Sequence, residues 1–328
     1  MPVPLSDAIA GCLLGGAVGD ALGAPVEFGS WATISAAYGP GGIRDLPGDG
    51  RFTDDTQMTL FTCEGLIRSA RRWRRGEPAE VAGSVHHSYL CWLHTQGVPW
   101  EQIASASGLG SAQPDGWLVH EPRLHRREAP GATCLSALRS GRMGVPGIAV
   151  NDSKGCGGVM RAAPAGLFWP HDPRRAYEAG CEVAAITHGH PDGWASAGAL
   201  AAIIAVLAAG GTLAQAVEQA QSLTTSYMAE VLAVATELAA GGMPSPDDIE
   251  SALGGGWVGE EALAIAVCCA AAAAGPEGAA GPKGAAGSEG AAGPEGARAG
   301  CGPRAAPPPA PAPGRPRKPP ASRCRSST

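Results

Sequence analysis

The stretch Arg51-Phe52-Thr53-Asp54-Asp55-Thr56-Gln57-Met58 decides how the rest of the chain is read. Asp54 to Gln57 has the form of a capping box, and acidic residues suit the positive end of a helix, so an amphipathic helix is expected over 54–75. The same two carboxylates, flanked by threonine hydroxyls, offer hard oxygen donors close together, as Mg²⁺ or Mn²⁺ requires. Capping and metal binding are both open on this stretch alone.

Outward from it the pattern stays helical. Strand signals are nearly absent from the first 274 residues, and helical periodicity recurs between Gly/Pro breaks. Helices are expected over 6–14, 54–75, 79–95, 132–139, 173–186, 193–209, 212–220, 227–239 and 260–273, with long loops over 29–52 and 109–131. Loops of that length in a compact domain are usually functional or disordered. The expected fold is an all-α multi-helix bundle with chemistry built on loops. Gly193 to Val217 is uncharged for 25 residues, but it is mostly Ala and Gly and breaks at Gly210-Gly211, so a buried soluble helix is expected rather than a membrane span.

Composition divides the 328-residue chain near Gly275. Residues 1–274 carry 16 Lys and Arg against 27 Asp and Glu, an acidic body that argues against nucleic acid as the main partner. Residues 275–328 carry eight basic against three acidic residues. Glycine recurs there at every third position from Gly275 to Arg298, and Pro and Arg dominate after Cys301. A domain over 1–274 and a disordered low-complexity tail over 275–328, collagen-like in 275–298, are therefore expected. The ten cysteines form no C-x-x-C pair, so structural zinc is not expected. Reduced core thiols fit a cytoplasmic protein, and residues 1–7 lack the basic region of a signal peptide.

Three further stretches carry chemistry. Gly15 to Phe28 contains small residues and then Asp20 and Glu27; close helix packing and a solvated loop charge are the plainer readings. Asn151-Asp152-Ser153-Lys154-Gly155-Cys156-Gly157-Gly158-Val159-Met160-Arg161 is glycine-rich and precedes a helix, which presents backbone N–H groups to an anion. Thr187-His188-Gly189-His190-Pro191-Asp192 closes one helix and opens the next, with histidines that serve as caps or as ligands.

Together the four stretches resemble the ADP-ribosylglycohydrolase family, which includes the enzyme that reactivates dinitrogenase reductase. The resemblance rests on GDALGAPVEF, FTDDTQMTL, KGCGGVMRAAP and THGHPDG, in that order, and covers about residues 5–273. It implies an all-α fold, a two-ion Mg²⁺ (or Mn²⁺) site, and cleavage of the glycosidic bond between ADP-ribose and a modified side chain. On this match Thr53, Asp54 and Asp55 are metal ligands. Glu27, Asp54 and Asp55 form the catalytic set. Asp20, Ser153, Gly155, Cys156, Gly157, Gly158 and His188 line the ADP-ribose pocket. The implied partner is an ADP-ribosylated protein or an ADP-ribose-containing small molecule, with no nucleic acid or membrane, and the chain is expected to be a monomer.

One element of the family is missing. Members carry a second metal motif, Gly-Asp-x-Asp-Thr/Ser, on a late helix; here that helix runs into Cys268-Cys269 and polyalanine, and no aspartate follows Asp248. Asp247-Asp248, in an expected Pro/Ser-flanked turn, does not fit the motif. Impaired hydrolysis is therefore expected, the alternative being a catalytically inactive ADP-ribose-binding module. The abrupt tail composition is what a displaced reading frame in a GC-rich gene produces, and that origin is expected ahead of a genuine extension. A structural protein assembled through the Gly-x-y tail is a third, separate class.

Overall fold

Thirteen α-helices and no strand occur among the described residues of the computed structural model, which are 3–110 and 113–279. The fold class is all-α, as expected. The tail and its collagen-like triplets lie outside the described residues, apart from the first few positions.

In chain order, α1 (Leu5–Gly23) and α2 (Trp31–Tyr38) precede α3 (Asp54–Arg74), α4 (Val81–Thr95), α5 (Trp100–Ser107) and α6 (Ala132–Arg139). Then come α7 (Ala163–Phe168), α8 (Pro173–Ala185), α9 (Pro191–Ala208), α10 (Leu213–Leu223), α11 (Ser226–Ala239), α12 (Pro246–Leu253) and α13 (Gly259–Ala279). Gly275 interrupts α13 with φ of 63°.

The core falls into two clusters. One joins α3 and α4 to α6 through Met58, Phe61, Leu66, Tyr89, Trp92 and Leu138. The other sets the alanines of α9 against α10, α11 and α13. Alanine allows α8 and α9 to pack closely: a Cβ on Gly180 would come within 2.6 Å of Ala197 O. Most of α9 is thereby buried, which accounts for its uncharged run without a membrane.

Polar residues tie the long loop over 109–131 to the core. Buried Gln57 donates from Nε2 to Arg126 O at 3.1 Å and accepts at Oε1 from Trp92 Nε1 and Gln96 Nε2, each at 3.0 Å. Buried polar groups are tolerated when satisfied in this way.

The boundaries of α3 and α6 match expectation closely. Three short helices do not. α2 and α5 occupy positions expected to be irregular or unassigned, and α12 turns the expected Asp247-Asp248 turn into a helix, whereas α7 is the helix expected after the glycine-rich stretch. Ser245 and Asp248 form the capping box of α12, with Pro246 at its first turn. α1 also runs nine residues beyond the expected end at Leu14, through Gly15, Gly16 and Gly19. Only Ala21 of α1 is buried.

Candidate active site

The site is organised by the first turn of α3. Thr53 is its N-cap, with Oγ1 accepting from Asp55 N at 3.3 Å. Asp20, near the C-terminal end of α1, reinforces that turn. Its Oδ1 accepts from Thr53 Oγ1 at 2.7 Å, and its Oδ2 accepts from Thr53 N, Thr56 N and Thr56 Oγ1 at 2.8, 3.1 and 2.6 Å. An anion bonded to free N–H groups at a helix N-terminus is stabilised by both hydrogen bonds and the helix dipole. Asp20 thus fixes the helix that presents Asp54 and Asp55.

These two aspartates, adjacent in sequence, face different surroundings. Asp54 Oδ2 accepts from Gly131 N at 3.0 Å, and Asp54 N donates to Glu128 O at 3.0 Å. Between those contacts Ala129 adopts a positive φ of 50°, which is costly for a residue with a Cβ. Asp54 therefore clamps a strained turn. Asp55 instead lines a cavity of about 560 Å³ with Asp20, Glu27, Thr53, Thr56, Cys156 and Trp257. Among the described residues, no Lys, Arg or His lines that cavity.

Burial without a neutralising cation shifts these acids. Asp54 is pushed up to about 6, first by burial, while the Gly131 bond and Arg161 pull it back. Asp55 is pushed up to about 7 by burial and then by the charges of Asp54, Asp20 and Glu27. Glu27 is raised by burial and by Asp20. Such an excess of close oxygen donors suits a hard divalent cation. Thr53 and Asp55 present oxygens of the type a hard cation takes to this cavity, while Asp54, bonded to Gly131 N, stands outside its lining. The acidic side chains of the first turn of α13 are used elsewhere: Glu260 pairs with Lys154, and Glu261 Oε2 accepts from Gly256 N at 3.1 Å.

The glycine-rich stretch forms an adjoining wall. Gly155 N donates to Ser153 Oγ at 3.3 Å and Cys156 N to Trp257 O at 3.2 Å, while Gly259 N donates to Lys154 O at 2.8 Å. The segment before α13 thus staples the loop in place. Asn151 links it to the turn after α8: its Nδ2 donates to Thr187 O at 2.8 Å, and its Oδ1 accepts from Ser153 N and Gly189 N at 3.0 and 3.2 Å. His188 is buried against this loop. A Cβ on Gly157 would meet its Cε1 at 3.0 Å, so a side chain there would displace the ring. Burial and the Arg161 charge push His188 down to about 3, so its imidazole is neutral.

The expected residues thus come together as two adjoining groups. Asp20, Glu27, Thr53, Asp55 and Cys156 line the acidic cavity, with Asp54 just behind it. Ser153, Gly155, Gly157, Gly158 and His188 form the loop-and-turn side. Sequence reasoning missed Gly131, Asn151, Arg161 and Thr187, which hold these groups in position, and it read the Thr56 hydroxyl as a donor to a cation where the structure has it bonded to Asp20. Asn151, Arg161 and Thr187 stood inside the quoted stretches, and their polar side chains within apolar or glycine-rich runs were the available signal. Phe28 and Trp257 stack at 5.8 Å between ring centroids, both exposed.

A second group of potential ligands lies apart. Donor atoms of His87, Cys91 and Asp115 all fall within 4.8 Å of one another. Asp115 is already bonded to His87 and, at 2.8 Å, to Arg68, and burial pushes the Cys91 thiol up to about 12. A guanidinium on the carboxylate and a protonated thiol make this a clasp for the 109–131 loop.

Comparison with known proteins bears on the same residues. The family model for ADP-ribosylglycohydrolase matches residues 1–285. The ADP-ribosyl-[dinitrogen reductase] glycohydrolase of Rhodospirillum rubrum is 28% identical over 167 residues, covering 40% of this chain and 56% of that relative. The match spans a little over half the length of the curated relative.

Proposed function

The chain belongs to the ADP-ribosylglycohydrolase family, and from that premise we propose that it hydrolyses the glycosidic bond joining ADP-ribose to a protein side chain, with a divalent cation, Mg²⁺ or Mn²⁺, at the start of α3. The observation that carries this reading is the uncompensated carboxylate cluster of Asp20, Glu27 and Asp55 in one cavity without a basic side chain.

Thr53, Asp54 and Asp55 would hold the ion, which would supply Lewis-acid polarisation and a more acidic bound water. The chain's own groups do the remaining work. The carboxylates of Glu27 and Asp55 stabilise positive charge that develops on a ribose ring as its glycosidic bond breaks. Glu27, with its raised pKa, is suited to holding or passing a proton at that ring. Gly157 and Gly158 offer N–H groups to the diphosphate, and neutral His188 gives the nucleotide a hydrogen-bonding partner without competing charge. Eight cysteines unpaired among the described residues support a reducing, cytoplasmic setting.

The donor set also favours a second reading. With α13's glutamates engaged elsewhere and no aspartate after Asp248, two-ion catalysis lacks carboxylates on that side, and the chain binds ADP-ribose with little turnover. Purified full-length protein with Mg²⁺ or Mn²⁺ and an ADP-ribosylated protein separates the two. Metal-dependent release of ADP-ribose supports hydrolysis; calorimetric binding of ADP-ribose without release supports the binding module. Neither release nor binding overturns both.

A further inference from the structure

Arg161 is wholly buried, and no carboxylate pairs with it among the described residues. Its guanidinium instead reaches neutral groups on several elements. Nη1 donates to Gly157 O at 2.6 Å and to Cys134 Sγ at 3.2 Å; Nη2 donates to Thr187 Oγ1 at 2.6 Å and Val183 O at 3.4 Å. The guanidinium also lies over the Tyr89 ring, 4.6 Å from its centroid, and Nε has no hydrogen-bond partner. An unpaired buried cation is a poor way to gain stability, since an apolar side chain of similar volume often serves as well. The arrangement has a geometric consequence beyond packing.

Thr187 Oγ1 lies 2.9 Å from His188 Nδ1. A guanidinium can only donate, so Arg161 occupies one of the two lone pairs of the Thr187 oxygen, and its positive charge favours a hydroxyl proton that points away from it, toward His188 Nδ1. Nδ1 then accepts, and in a neutral imidazole the proton must sit on Nε2. Nε2 lies beside the loop, 3.6 and 3.2 Å from where Cβ atoms on Gly155 and Gly157 would be. The same Arg161 holds that loop through Gly157 O.

We infer that Arg161 is the positioning residue of this site: through Thr187 it locks His188 as the Nε2–H tautomer, and through Gly157 it fixes the loop toward which that donor points. A single buried cation thereby sets both a hydrogen-bond donor and the backbone around it. The low pKa of His188 agrees, because the Arg161 charge opposes a second proton on the ring. That the donor serves a nucleotide rests on the function proposed above; the tautomer lock does not.

The test uses ¹⁵N-labelled full-length protein, with His188 signals assigned by His188→Gln. Imidazole ¹⁵N shifts followed from pH 5 to 8 should show a non-titrating Nε2–H ring in the wild type. Thr187→Val should yield a mixed or Nδ1–H ring and weaken ADP-ribose binding by about tenfold, as loss of one buried hydrogen bond commonly does. Thr187→Ser should restore both, and Arg161→Lys should shift the tautomer signal while preserving charge. A wild-type Nδ1–H ring, titration near the ordinary histidine value, or an unchanged tautomer in Thr187→Val overturns the lock. Should the wild type fail to bind ADP-ribose, the proposed function falls, and the imidazole signals still decide the relay. Should Thr187→Val fail to fold, the wild-type spectrum and Thr187→Ser decide it.

Discussion

Two buried charges stand close to the glycine-rich loop, and the protein treats them differently. At the start of α3, Asp54 and Asp55 are raised by burial and then by the charges of Asp20 and Glu27, with Asp54 adding to the shift of Asp55, and among the described residues no basic side chain lines the adjoining cavity. Behind the loop, Arg161 is buried without a carboxylate but is surrounded by carbonyl, hydroxyl, thiol and aromatic groups. The positive charge is solvated by the fold itself, whereas the negative cluster is left to be balanced from outside. The positive charge is therefore an integral part of folding, and the negative cluster is the cation site proposed above.

The strongest way to break this comparison is Arg161→Ala. It removes a large, fully buried side chain and strands the acceptors on Gly157 and Thr187, so the expected loss is roughly 3–5 kcal/mol in urea unfolding. Added divalent cation should not restore it. A loss below about 1 kcal/mol would mean that Arg161 is incidental to folding.

The acidic side should behave in the opposite way. The folded-state pKa values of Asp54 and Asp55 are raised, to about 6 and about 7. Their contribution to stability is therefore full below the unfolded value near 4 and is lost as pH rises through 6 and 7. Metal-free protein should lose thermal stability between pH 5 and pH 8, and Mg²⁺ or Mn²⁺ should restore it mainly at pH 8. At a cation concentration near 100 times Kd the gain is about 2.7 kcal/mol. Asp55→Asn should raise the metal-free Tm at pH 8 and abolish most of the cation response. An equal cation response at pH 5 and pH 8 would place the ion elsewhere.

The same contrast explains what the sequence made legible. Asp54 and Asp55 were readable because they sit side by side at a helix start, although the cap expected at Asp54 is one residue earlier, at Thr53. Arg161 was not readable as an organiser. Its partners Tyr89, Cys134, Gly157 and Thr187 converge only through the packing of α4, α6 and α8, and no spacing within the chain encodes that. α1 was cut short because Gly15, Gly16 and Gly19 look like breaks, yet Gly11, Gly15, Gly19 and Gly23 fall four apart, on one face of a continuous helix. α2, α5 and α12 are each eight residues long and bury none, two and one of them, whereas the equally short α6 buries four, so only α6 carries a clear apolar face. Motif order drew these stretches together, but it put Asp20 and Cys156 with the nucleotide pocket, and the fold places both at the acidic cavity.

Asp20 tests the boundary between the two kinds of charge, because it belongs to both. It accepts four hydrogen bonds from Thr53 and Thr56, and its charge also raises Asp54, Asp55 and Glu27. Asp20→Asn keeps one acceptor oxygen and removes the charge, so two terms oppose each other. At pH 5, where Asp54 and Asp55 are largely protonated, little repulsion is relieved and the weakened cap should cost about 1 kcal/mol. At pH 8 without cation, relief of repulsion offsets that cost, and the net change should approach zero. Adding Mg²⁺ at pH 8 neutralises the remaining cluster, so the loss relative to wild type should reappear. Urea unfolding at both pH values, with and without Mg²⁺, reads all three. A loss of the same size under all three conditions would make Asp20 a helix cap alone, and the negative charge at the site would then rest on Glu27, Asp54 and Asp55.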